Sequence, residues 1–208
     1  MYTKAARLIS YMLHPLLLPT MAFIILLYLT PITILTIPED ARWLLLSVIF
    51  ILTFLAPATG IIFLYIFGNI KNLHYPEAEE RRWPLMVVSV FYIMTTVMFG
   101  ISEAFSRLPI LFVFAGAITL CLTLLTALSL AWKISIHSTG IGGLVGFLMG
   151  LGYRFSDERF LYPIVICVIL SGILMSAQLY LNAHTPEQVM GGFALGLAIH
   201  SVAMFYFL

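Results

Sequence analysis

Charged residues in this chain come in small groups, and long apolar stretches separate them. Residues 8–38, 43–70, 83–102, 108–132, 134–153, 160–186 and 188–208 hold no Asp, Glu, Lys or Arg. About 20 apolar residues in a helix cross the hydrocarbon core of a bilayer. A soluble domain is about a quarter charged, whereas this chain is 9% charged and 62% hydrophobic, with mean hydropathy +1.08. There is too little polar surface for a soluble globule. The reading is one integral-membrane domain, residues 1–208, all-α: a polytopic transmembrane helical bundle of six to seven spans. The expected location is the bacterial inner (cytoplasmic) membrane.

The charges place the spans near 16–37, 42–68, 84–102, 108–131, 138–153, 160–182 and 186–208. Residues 2–13, with Lys4 and Arg7, read as a short interfacial helix. The run after the basic start contains Pro15 and Pro19 and has no small-residue cleavage site, so a retained span is expected and not a removed signal peptide. The 138–153 segment is rich in glycine, which permits close helix packing, so other helices should surround it. Pro84 belongs in the first turn of its helix, where a missing N–H costs nothing. Cys121 and Cys167 lie in apolar runs and read as core residues. Formal net charge is +1, which offers no footprint for nucleic acid.

Counting spans puts Lys4, Arg7, Lys71, Arg81, Arg82 and Lys133 on one face, and Arg42, Arg107, Arg154 and Arg159 on the other. The positive-inside rule turns the first face to the cytoplasm. Removing Arg81, Arg82 and Lys133 as site residues reverses that vote, so orientation stays open.

Three polar clusters fall on that first face: Lys71 to Pro84, Trp132 to Gly140, and Asn182 to Gln188. Each stands at the start of a predicted helix, where unpaired N–H groups and positive charge suit phosphate. Arg and Lys add charge, and Arg adds a planar fork. Thr185, Pro186 and Gln188 fit a capping box, with His184 just outside the helix. The positive helix end keeps His184 neutral, and the Gln188 amide oxygen is in reach of one ring nitrogen. His137 has a similar place before the glycine-rich helix. Two histidines beside a cationic pocket suit phosphoryl transfer, one attacking phosphorus and one protonating the leaving oxygen. His14, His74 and His200 read as structural. His200 is turned away from the His184 face by the helical repeat.

These residues resemble the motifs of the type-2 phosphatidic acid phosphatase superfamily, K-x6-R-P, P-S-G-H and S-R-x5-H-x3-D on a six-helix core. SAQLYLNAHTPEQVMGG puts His184 on the nucleophilic histidine. ISIH puts Ser135 and His137 on the serine and the acid histidine. ERRWP supplies Arg81 and Arg82, with one extra residue before Pro84. The likeness runs from Lys71 to the C-terminus. It implies a lipid phosphatase acting on a lipid phosphate or isoprenoid diphosphate ester through a phosphohistidine. His184 and His137 would be catalytic, Arg82, Arg81, Lys133 and Ser135 would bind phosphate, and Gln188 would orient His184. No metal or other cofactor is implied.

Gln178 stands at the third motif's arginine and Gln188 at its aspartate, the second motif lacks its proline and glycine, and no lysine has the first-motif spacing. An uncharged Gln188 leaves a developing imidazolium uncompensated, so slow turnover is expected. The alternative is a catalytically degenerate relative that binds an anionic lipid headgroup without hydrolysis. A transporter would call for a half-chain repeat or a mid-span carboxylate, and the sequence has neither. The particular lipid and the oligomeric state stay open.

Overall fold

The structure, a computed structural model, describes residues 2–29, 37–70, 82–129 and 131–208. Among them there is no strand. The helices are α1 (Tyr2–Met12), α2 (Leu18–Ile24), α3 (Glu39–Phe50), α4 (Ala56–Ile66), α5 (Arg82–Ile101), α6 (Pro109–Leu128), α7 (Ile136–Phe155), α8 (Leu161–Tyr180) and α9 (Pro186–Phe207). π-helical turns extend α2 over Ile25–Leu29 and join α3 to α4 over Ile51–Leu55. Among the described residues five helical stretches are long and apolar enough to cross a membrane: Glu39–Ile66, Arg82–Ile101, Pro109–Leu128, Glu158–Tyr180 and Pro186–Phe207. Their outer faces carry exposed apolar side chains such as Leu44, Phe63, Met94 and Ile166. These features fit an integral membrane protein.

Helix ends follow local chemistry. The second span starts before the expected residue 42 because Glu39 and Asp40 enter the first turn of α3, where the positive helix end suits carboxylates. The glycine-rich helix is longer than 138–153, since Ser135 caps it with a hydroxyl that accepts from Ser138 N–H. Pro84 does lie in the first turn of α5. Of the expected 16–37 span, residues 18–29 are described as helix. The polar loop, with Lys71, His74 and Arg81, lies outside the described residues.

The π turn between α3 and α4 has a cause. Pro57 has no N–H for the carbonyl four residues back, Thr53 O. The Tyr92 hydroxyl of α5 donates to that oxygen instead, at 3.1 Å, and Tyr92 is buried.

Helix α7 is the centre of the bundle, buried on almost every turn. Phe147 meets Phe114 at 4.3 Å between ring centroids, and Phe23 packs on Phe114 at 5.4 Å. As expected from its glycines, α7 packs backbone to backbone, and its partner is α9. Gly142, Gly146 and Gly150 recur every four residues and so share one face. A methyl group on Gly142 would meet Phe193 O, and one on Gly146 would meet Leu197 O. Opposite them, a methyl group on Gly192 would lie 2.7 Å from Ser135 O. Both cysteines are buried free thiols.

Helix α1 lies against α8. It buries Ala6 and exposes Lys4, Arg7, Leu8 and Met12, an apolar and cationic face of the kind that rests on a lipid surface.

Candidate functional site

Helix α8 ends in a tight reversal. Asn182 takes the left-handed conformation (φ 50°), its N–H donates to Leu179 O at 2.9 Å, and Ala183 N–H donates to Gln178 O at 3.2 Å. This is a Schellman turn, and it aims the chain at the start of α9. Thr185 Oγ1 accepts from Gln188 N–H, and Gln188 Oε1 accepts from Thr185 N–H at 3.2 Å, so the expected capping box is formed. The 131–135 loop is pinned alongside. Ser135 N–H donates to Gln188 O at 3.2 Å, and the Trp132 ring fits over Gly191, where a methyl group would lie 2.5 Å from it.

His184 stands between these two segments. Its Nδ1 is 3.2 Å from Gln188 Oε1 and 3.2 Å from Lys133 O. Both partners are acceptors, so Nδ1 carries the proton and the neutral ring keeps its lone pair on Nε2. The Gln188 contact is the one the sequence suggests; the Lys133 carbonyl is an addition that needs the loop to fold back.

His137, in the first turn of α7, points its Nε2 at Ser10 O at 3.3 Å. A carbonyl only accepts, so Nε2–H donates. The same residue of α1 receives a second contact from the site: Gln178 Nε2–H donates to Ser10 Oγ at 2.9 Å. Ser10 Oγ donates in turn to Ala6 O. The end of α1 is thus tied to both α7 and α8.

A cavity of about 370 Å³ opens between these groups, large enough for a small ligand. His14, Lys133, His137, Gln178, His184 and His200 supply its polar wall. The remainder is mostly apolar, with Leu85, Val88, Leu122 and Leu125 among its residues. Lys133 is the charged side chain on this wall among the described residues.

His184, His137 and Lys133 all line this cavity. Arg82 and Ser135 do not. Arg82 is exposed and stacks over the Trp83 ring, 5.4 Å from its centroid. It does not line the cavity, because α5 turns it outward while Pro84 and Leu85 face in. Ser135 is fully buried. Its Oγ is taken up as the α7 cap, accepting from Ser138 N–H at 3.3 Å and from Ser138 Oγ at 3.0 Å. Arg81 lies outside the described residues.

Two histidines read as structural line the cavity. His200 is buried, donates from Nδ1 to Gly196 O at 3.0 Å, and sits edge-on to Phe114 at 5.9 Å. The helical-phase argument fails because His184 precedes α9, on the Schellman turn, and shares no helix with His200. His14 is in the turn between α1 and α2. Its ring meets His137 edge-on at 5.8 Å, and burial pushes its pKa below the ordinary 6.5. The signal in both cases was an ionisable side chain within an uncharged apolar run.

Compared with known protein families, with curated proteins and with solved structures, the chain matches none.

Proposed function

We propose that this chain is a membrane lipid phosphatase, a divergent member of the type-2 phosphatidic acid phosphatase superfamily. In this reading it has six or seven spans in a bacterial inner membrane, with the superfamily's six-helix core. The substrate is a lipid phosphate or isoprenoid diphosphate ester, because the apolar wall of the cavity continues directly from its polar end. The supporting observation is the tautomer of His184. Two carbonyl oxygens hold its Nδ1–H, which presents Nε2 as the nucleophile, with His137 and Lys133 on the same cavity wall.

In the proposed reaction, His184 Nε2 bonds to phosphorus as the phosphorus–oxygen bond to the leaving group breaks. His137, protonated on both ring nitrogens for this step, gives that oxygen a proton and is left neutral. Water then cleaves the phosphorus–nitrogen bond and releases phosphate, with the proton balance restored through His137. Lys133 and the N–H groups opening α7 hold the phosphoryl oxygens. The Nε2–H of His137 is engaged with Ser10 O, so a leaving oxygen protonated from that nitrogen must compete with the carbonyl.

That engagement favours a second reading, a headgroup binder without hydrolysis. Phosphate release by the purified full chain from a panel of lipid phosphates separates the two. Hydrolysis requires that His184→Ala reduce release to background. His137→Ala should lower it by about 10²-fold or more, and Gln188→Asp should raise it. Release should persist in chelator. Wild type equal to His184→Ala on every lipid leaves the binder reading.

A further inference from the structure

The α1–α2 turn brings a third histidine to the cavity. His14 lines the wall that His137 and His184 line and is half-buried. Its Nδ1 accepts the Leu16 N–H at 3.3 Å. That bond needs a lone pair on Nδ1, so the neutral ring carries its proton on Nε2. The Nε2–H has no partner among the described residues, and the ring is 5.8 Å from that of His137, nearly perpendicular to it. Burial favours the neutral form.

The turn is also held in place from outside itself. Ser10 O meets His137 Nε2, and Ser10 Oγ receives Gln178 Nε2–H. Pro15 and Leu18 then pack against Gly140 of α7, where a methyl group would lie 2.7 Å from Leu18. A surface turn needs none of these ties. They fix His14 relative to the α7 end that carries His137.

We propose that His14 is a phosphoryl-binding residue of this site, donating its Nε2–H to an oxygen of the bound phosphate group. The N-terminal helix pair then becomes part of the ligand site. The inference rests on the anion-site reading above and does not require hydrolysis. It predicts that the phosphoryl group, and not the lipid tail, is what His14 senses.

The test uses the purified full chain in detergent at pH 7, with inorganic phosphate and with dioctanoyl phosphatidate as probes. Two variants separate the donor from the turn. Asparagine places an oxygen near the ring Nδ1 and keeps the Leu16 bond, but it has no donor at the far end. Glutamine places an N–H near the Nε2 position. His14→Asn should weaken binding of both probes about tenfold or more, the scale of one hydrogen bond to a charged group. His14→Gln should stay within about threefold of wild type. Thermal unfolding without ligand checks that both variants are folded.

Wild-type binding by His14→Asn overturns the proposal, and so does an equal loss in both folded variants. If His14→Asn does not fold, carbethoxylation of the wild-type histidines, read by mass spectrometry, decides. Either probe should protect His14. Protection by the lipid alone, with none by inorganic phosphate, overturns it, because His14 then senses the tail. Protection of His137 and His184 without His14 overturns it and leaves the anion site standing. No binding and no protection by either probe would remove the anion-site reading itself.

Discussion

Two helix interfaces flank the cavity, and they are made of different material. Between α7 and α9 the backbones touch: added methyl groups at Gly142 and Gly146 meet carbonyl oxygens. Between α4 and α5 the contact is through side chains. A methyl group on Gly60 would lie 2.7 Å from Val87 Cγ1 and 2.8 Å from Phe91 Cε2. Backbone cannot swing aside, whereas the Phe91 ring can turn and Val87, stiff at χ1, gives by a small shift. The first interface holds the starts of α7 and α9, and so His137 and His184, in fixed register. The second backs the apolar wall, where Val88 and Tyr92 face the cavity.

The largest effect should come from breaking that contrast at one atom per site. Gly146→Ala forces α7 off Leu197 O and should cost about 2–3 kcal/mol. Gly60→Ala should cost about 1 kcal/mol or less, because only side chains move. Gly172→Ala has nothing within 4 Å of the new methyl group and should be neutral or slightly stabilising, since alanine favours helix. Thermal unfolding in detergent ranks the three. Equal losses at Gly146 and Gly60 would abolish the distinction.

A smaller effect is expected inside the adjustable interface. Tyr92→Phe leaves Thr53 O buried without its donor and should cost about 1–2 kcal/mol. Pro57→Ala restores an N–H for that oxygen, so the same Tyr92→Phe change should cost less in the Pro57→Ala background. A double-mutant cycle on unfolding free energies measures the difference. An unchanged cost would mean that the Tyr92 bond does not answer the missing proline N–H.

The smallest effect is on pH and concerns the α1–α2 turn, which packs on Gly140 near the start of α7. His14 has its pKa lowered from 6.5 by burial, so between the folded and unfolded values the unfolded chain binds more protons. Stability is therefore fully present above pH 6.5 and falls as the pH drops below it. His14→Gln should flatten that part of the profile. A profile that fell equally in His14→Gln would assign the proton uptake to another group.

Much of the fold is written in local chemistry. Runs without charge mark the long helices, Thr185 with Gln188 marks the start of α9, and the glycines of α7 announce close packing. That His137 and His184 line one cavity is legible for the same reason, since each stands at or beside a helix start. The apolar pattern also fixes that the chain is all-helical, because backbone polar groups in such runs must be satisfied within each segment.

Tertiary structure alone decides the rest. Ser10 reaches His137 and Gln178 across most of the chain, and no local spacing encodes that contact. Arg82 is turned to Trp83 and Ser135 into a buried cap by the rotation of their helices. His14 and His200 reach the cavity because α2 and α9 pack against α7 while α1 lies on α8. A side chain's neighbours along the chain set its conformation. What it faces depends on how whole helices pack, which is a sum over many weak contacts that no short segment contains.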